Sequence, residues 1–140
     1  MTKLLPFIAQ TECEAWNAFL IASLLVCPDY KAANKVVANL YLSAPILGDS
    51  NFEVIHKHIF AIGRNVGYRA LIDGSIARIN EQDKETLFTY CVKVVFSDAN
   101  LTTLKTSFIN YIAEALRISK HFLQATTLVM WSHSQKNMAY

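Results

Sequence analysis

The sequence predicts an all-α domain of six to seven packed helices. Apolar residues recur at three- and four-residue steps along almost the whole chain, and N-cap residues precede several of these periods. No Asp-Gly or Gly-Asn pair is flanked by the alternating residues of a β-hairpin. At 140 residues the chain has the usual size of one domain, so we expect one core over residues 1–131 and no separate catalytic or regulatory domain.

The first two helices have clear start and stop signals. Thr11 and Glu14 have the spacing of a capping box, which predicts a helix from about residue 12 to 26. One apolar face of this helix would hold Trp16, Phe19, Leu20, Leu24 and Cys27. A second helix should run from about Tyr30 to near Ser43, because Pro45 cannot donate a backbone hydrogen bond.

The middle of the chain predicts a long helix followed by a shorter one. Ser50 and Glu53 form a second capping-box pattern, and the helix after it directs Phe52, Ile55, Ile59, Ile62 and Val66 inward. Gly67 separates it from a shorter helix that carries Leu71, Ile72, Ile76 and Ile79. Gly74, after Asp73, offers an alternative break within that segment.

Three further N-caps predict the helices of the second half. Asn80 precedes a helix that buries Leu87, Tyr90, Cys91, Val94 and Val95 and ends at Ser97 and Asp98. Thr102 precedes a helix with Leu104, Phe108, Tyr111, Ile112, Ala115 and Leu116 on its apolar face. Ser119 precedes a last helix with Phe122, Leu123, Thr126, Val129 and Met130. Periodicity ends at Trp131, so residues 132–140 are predicted to fray.

The two halves of the chain share a spacing. Asp29 and Asp98 each follow an apolar helix, and Ser50 and Ser119 follow them at the same interval. This predicts two pseudo-repeated helix-loop-helix halves on a shared core, with a coincidence of helix lengths as the alternative.

The composition indicates which classes of partner, nucleic acid, protein or membrane, are expected. The net charge is +2 and the basic residues are scattered, so no nucleic-acid partner is expected. The 53% hydrophobic and 17% charged content leaves apolar surface for a protein partner or for self-association. The three cysteines include no C-x-x-C pair, which indicates the cytoplasm. The longest apolar stretch, Ala18 to Cys27, is far shorter than the roughly 20 residues of a transmembrane helix, although a peripheral membrane complex stays open.

No catalytic residue can be assigned. His56 and His58 stand two apart on a predicted helix and point to different faces, which predicts one surface and one partly buried histidine. Cys27 and Cys91 lie among apolar residues, and no Gly-rich phosphate loop occurs. We therefore expect a non-enzymatic protein, with an enzyme for an apolar substrate held between helices as an alternative.

The Asp98 loop is the candidate metal site. Asp98, Asn100 and Thr102 stand at the first three ligand positions of a calcium loop of the EF-hand type. Thr103 replaces the glycine of that pattern, and Ile109 replaces its closing glutamate. One interpretation is that the loop binds a divalent metal ion, which would be the protein's only cofactor. The other is that Asp98 and Thr102 only end one helix and cap the next.

A second candidate site is a polar cluster near a predicted helix junction. Arg64 and Arg69 could hold an anion or an acidic partner segment, with Asp73 beside them. The alternative is an exposed, solvated helix face.

Two stretches carry a resemblance to a known family. Residues 91–102 (CVKVVFSDANLT) and 108–119 (FINYIAEALRIS) are similar to the tellurite-resistance TerB-like family, over about the second half of the chain. In this comparison Asp98 matches the family aspartate, Ala99 its glycine, Asn100 its glutamate and Thr102 its capping serine. The resemblance implies an all-helical pseudo-repeat domain linked to tellurite resistance and stress response, whose acidic loop residues are assigned to metal binding.

Overall fold

The fold is all-helical. The computed structural model describes residues 6–47, 52–98 and 100–138, and within these ranges it contains seven α-helices, three single-turn 3-10 helices and no β-strand. The α-helices are α1 (Glu12–Leu25), α2 (Tyr30–Ser43), α3 (Phe52–Val66), α4 (Tyr68–Asp73), α5 (Lys84–Val95), α6 (Thr103–Ala115) and α7 (Lys120–Met138). The predicted all-α bundle of six to seven helices is confirmed. None of the described helices is both long and apolar enough to cross a lipid bilayer.

Helix α1 lies at the centre of the core. Every side chain from Ala15 to Leu24 is buried, and the helix packs against α3, α4 and α5. The sequence predicted burial of one face only. Two buried polar side chains of the helix, Asn17 and Ser23, form hydrogen bonds to carbonyl groups one turn earlier; Ser23 Oγ donates to the Phe19 carbonyl at 2.9 Å.

The predicted helix starts are largely confirmed. Thr11 and Glu14 form the reciprocal capping box of α1, with both hydrogen bonds at 3.1 Å. Ser119 Oγ accepts from the Phe122 amide at 3.1 Å in the first turn of α7. The predicted capping box at Ser50 lies outside the described residues.

The segment that leads into α5 differs from the prediction. Asn80 does not cap α5 directly but precedes a 3-10 turn, Glu81–Asp83, and its side chain donates to Glu12 Oε1 at 3.2 Å. This hydrogen bond links the start of α1 to the segment that leads into α5. Asn80 therefore connects two parts of the chain rather than ending one helix.

Most residues that were predicted to face inward on α6 and α7 pack in the core, but one residue of each helix does not. Leu104, predicted on the apolar face of α6, is 49% exposed, whereas its neighbour Lys105 is fully buried. On α7, Val129 was predicted inward and is 57% exposed. The last helix continues to Met138, and the fraying of residues 132–140 stays a prediction.

The end of α6 requires an unusual backbone conformation. Arg117 has a φ of +57°, in the left-handed region that glycine adopts most easily. Around it the Ile118 amide donates to the Ala113 carbonyl at 2.8 Å, and the Arg117 amide donates to the Glu114 carbonyl at 3.1 Å. This is the Schellman pattern, which satisfies the last carbonyl groups of a helix.

Replacing Arg117 with glycine should stabilise the protein. Arg117→Gly relieves the cost of the left-handed conformation, so we expect the free energy of unfolding to rise by about 0.5–1 kcal/mol in urea denaturation. Arg117→Ala is the control, since it removes the same charge but keeps the Cβ atom. A gain of equal size in both variants would show that charge, not backbone conformation, limits stability here.

Candidate functional site

The structure brings the three residues of the predicted metal loop together around a lysine. Asp98 Oδ1 accepts a hydrogen bond from the Asn100 amide at 3.1 Å and forms an ion pair with Lys105 Nζ. Lys105 Nζ also donates to the Asn100 carbonyl oxygen at 2.5 Å. Thr102 Oγ1 accepts from the Lys105 amide at 3.1 Å and so caps α6.

The Lys105 side chain is completely buried, and the Asp98 side chain is 7% exposed. A buried ammonium group is stable only when a counter-ion and hydrogen-bond acceptors surround it, and Asp98 and Asn100 supply both. Lys105 was not among the residues predicted for this site. Its position three and four residues before the buried Phe108 and Ile109 is the signal that would have placed it on the inner face of α6.

The loops after α1 and α5 lie side by side. Asp98 and Asn100 line a polar pocket of about 560 Å³ together with Pro28, Asp29, Tyr30 and Lys31. Asp29 Oδ1 caps α2 by accepting from the Lys31 amide at 3.0 Å. Asp98 Oδ2 is buried and has no hydrogen-bond partner in the part of the chain that the structure describes.

The geometry favours the capping interpretation of the Asp98 loop. Among residues 6–47, 52–98 and 100–138 there is no group of three or more histidine, cysteine, aspartate or glutamate residues placed to hold a metal ion. A divalent ion at Asp98 would have to compete with the ammonium group of Lys105 for Oδ1. Metal binding by Asp98, Asn100 and Thr102 stays a prediction.

The structure divides the second predicted cluster. Arg69 and Asp73 are connected through Tyr111, whose hydroxyl donates to Asp73 Oδ1 at 2.6 Å and whose ring lies 5.2 Å from the Arg69 guanidinium carbon. Burial and this hydrogen bond raise the pKa of Tyr111 to about 12. Arg64 instead lines a pocket between α2 and α3, beside His56. A joint anion site of Arg64, Arg69 and Asp73 therefore stays a prediction.

Two cysteines have the properties of core residues. Burial raises the pKa of the Cys27 thiol to about 11 and that of Cys91 to about 12. The Cys27 thiol donates to the Ser23 carbonyl at 3.3 Å. Since the thiolate is the nucleophile, neither side chain is activated at neutral pH.

An apolar groove lies between α6 and α7. Its volume is about 430 Å³, and its lining residues are Leu101, Thr106, Ile109, Asn110, Leu123, Gln124, Thr127, Leu128 and Trp131. None of these side chains is charged. Leu101 and Leu128 are 52% and 66% exposed, so apolar side chains at this groove face solvent. The sequence predicted an excess of apolar surface but not its position.

Comparison with known proteins assigns neither a family nor a function to this chain. No protein-family model, no curated protein and no solved structure matches this chain. The resemblance to the TerB-like family, and the predicted pseudo-repeat, therefore stay predictions.

Breaking the buried ion pair between Asp98 and Lys105 should destabilise the folded protein. Asp98→Asn leaves the Lys105 ammonium buried without a counter-ion, so we expect the free energy of unfolding to fall by about 3 kcal/mol in urea denaturation. Asp29→Asn is the matched control. It changes the corresponding loop aspartate at an exposed N-cap where asparagine works equally well, and should cost less than about 0.5 kcal/mol.

The coupling of the pair is measured by a double-mutant cycle with Lys105→Met. The combination of Asp98→Asn with Lys105→Met removes both charges, and it should lose at least about 1 kcal/mol less than the sum of the single variants. Additive losses, or equal losses in Asp98→Asn and Asp29→Asn, would contradict a coupled ion pair.

Proposed function

We propose that the protein is a non-enzymatic binding domain of the cytoplasm that associates with a second copy of itself through the groove between α6 and α7. The observation that carries this proposal is the uncharged lining of the groove, with Leu128 exposed beside it. An exposed apolar patch of this kind marks an interaction site more often than an ordinary surface.

The composition of α7 supports a buried outer face. Residues 121–135 contain no Asp, Glu, Lys or Arg. Solvent-facing helix positions are usually rich in charged side chains, so their absence from this stretch supports a covered outer side. One side of α7 packs on α5, and Leu128 and Val129 on its outer side are 66% and 57% exposed. A second protein surface would cover them.

A second copy is the occupant that fits this surface best. Leu128 both lines the groove and is exposed, so two copies related by a two-fold axis could each place Leu128 in the groove of the other. No charge in the lining opposes this approach. Trp131, half-buried at the end of the groove, supplies the large aromatic surface that often anchors an interface.

The resemblance to TerB-like proteins supports a role in stress sensing for such a domain. It is a weaker support than the groove, because related folds host unrelated functions. The two buried thiols, Cys27 and Cys91, are free, as is usual for proteins of a reducing compartment.

Divalent-metal binding at the Asp98 loop is the second candidate. One observation favours it: Asp98 Oδ2 is buried with no hydrogen-bond partner among the described residues, and such an oxygen could accept a cation. Lys105 already neutralises the same carboxylate, and for this reason we place the metal function second.

Self-association is tested by sedimentation velocity over a wide range of protein concentrations. We expect a dimer to form as concentration rises, and Leu128→Asp to weaken it by at least about tenfold because a carboxylate would be buried in the apolar groove. Leu42→Asp is the matched control, because Leu42 lies on α2 and is 88% exposed. It should leave the dimer unchanged.

The results of this experiment distinguish between a second copy of the chain and another protein as the partner that covers the groove. A protein that stays monomeric at all concentrations overturns the second copy as the occupant, and a helix of another protein becomes the alternative. Equal weakening by Leu128→Asp and Leu42→Asp would show that association does not use the groove.

A further inference from the structure

A second pocket, on helices distant in sequence from the groove, lies between α2 and α3. Its volume is about 640 Å³, and its lining includes Asn34 of α2 and His56, Lys57, Phe60, Arg64 and Asn65 of α3. Unlike the lining of the groove, the lining of this pocket includes basic side chains. Neither the predicted metal loop nor the proposed self-association uses it.

A chain of hydrogen bonds beneath this pocket fixes the protonation of His56. Asn17 is buried, and its Nδ2 donates to the Cys13 carbonyl at 2.9 Å, so its Oδ1 must be an acceptor. Tyr41 donates its single hydroxyl proton to this Oδ1. In its contact with His56 Nδ1, at 3.0 Å, the Tyr41 oxygen can therefore only accept a hydrogen bond.

The consequence is a defined tautomer of His56. Nδ1 must carry a proton, because it donates a hydrogen bond to the Tyr41 oxygen. In the neutral ring Nε2 is then unprotonated, and its lone pair can accept a hydrogen bond. Burial lowers the pKa of His56 and so favours this neutral ring. The ring of Phe60 lies nearly parallel to the imidazole, at 11° and a centroid distance of 6.2 Å, and it supports the orientation of the ring.

The basic residues of the pocket lie on one face of α3. Lys57 and Arg64 are seven residues apart, which is about two helical turns, so their side chains leave the helix in similar directions with about 10 Å between them along the axis. Both are long and exposed, so both can reach one anion bound between them. The lining contains no acidic residue to neutralise them.

We propose that this pocket binds a small organic oxyanion, a carboxylate or a phosphate ester, that also carries a hydroxyl group. Lys57 and Arg64 would contact the oxyanion, and the hydroxyl group would donate a hydrogen bond to His56 Nε2. The side-chain amides of Asn34 and Asn65 supply further donors and acceptors at the rim. The carbon skeleton of the ligand would pack against Phe60.

The test is an NMR titration of the uniformly ¹⁵N-labelled full chain with four probes in two matched pairs. Glycerol 3-phosphate is paired with methyl phosphate, and glycolate with acetate, so that one member of each pair carries the hydroxyl group. We expect shifts at amides of α2 and α3, and binding at least about threefold tighter for the hydroxylated member. The pair that binds more tightly identifies the ligand as a phosphate ester or a carboxylate.

Substitutions at the basic residues test whether the ligand binds in this pocket. Lys57→Gln combined with Arg64→Gln should weaken binding by at least about tenfold, and because both positions are exposed the variant should remain folded. Lys35→Gln, an exposed charge on α2 outside the pocket lining, is the control and should have no effect. Long-range ¹H–¹⁵N spectra of the His56 ring should show Nδ1 protonated.

Four results would overturn the proposal. They are the absence of shifts at α2 and α3 with every probe, equal affinity in the double variant, equal affinity within both probe pairs, and a His56 ring protonated at Nε2. The groove and the dimer are not involved in this experiment, so a failure here and a failure of self-association are distinguishable.

Discussion

The buried ammonium group of Lys105 constrains how the second half of the chain is arranged. It lies inside the protein with no exposed surface, so Asp98 and the Asn100 carbonyl must stay beside it. These contacts fix the end of α5, the loop after it and the first turn of α6 relative to one another. The same region meets the end of α1, where the Cys27 thiol lies 3.7 Å from the Val94 carbonyl. The ion pair thus lies close to the place where the end of α5 meets the loop after α1.

Local chemistry accounts for what the sequence predicted. Capping patterns at Thr11, Thr102 and Ser119 depend only on nearby residues, and each forms as expected. Which side of a helix faces the core depends on the rest of the fold, and the sequence pattern was wrong at single positions such as Leu104 and Val129, which are exposed. A lysine was not expected inward, so α6 was assigned with Leu104 rather than Lys105 on its buried face. The His56 network and the groove join residues distant in sequence, and no spacing rule brings them together.

Two concave surfaces of the domain differ in charge. The groove between α6 and α7 is uncharged and suits another protein surface, whereas the pocket between α2 and α3 combines cations with an oriented imidazole. Arg64 lines this pocket, whereas Arg69 and Asp73 both contact Tyr111; Gly67, with a φ of +89°, lies between α3 and α4. In the Asp98 loop, which resembles a metal site in sequence, the Asp98 carboxylate is paired with the internal cation of Lys105.

The direct test of this account is thermal unfolding of chelator-treated protein with calcium, magnesium, manganese or zinc added. If Lys105 supplies the cation of the Asp98 loop, no ion should raise the unfolding midpoint. An ion that binds the native state at about 100 times its dissociation constant would add roughly 2.7 kcal/mol to its stability, which this measurement detects easily. A rise in the midpoint with one ion, abolished in Asp98→Asn, would contradict the account and identify the loop as a metal site.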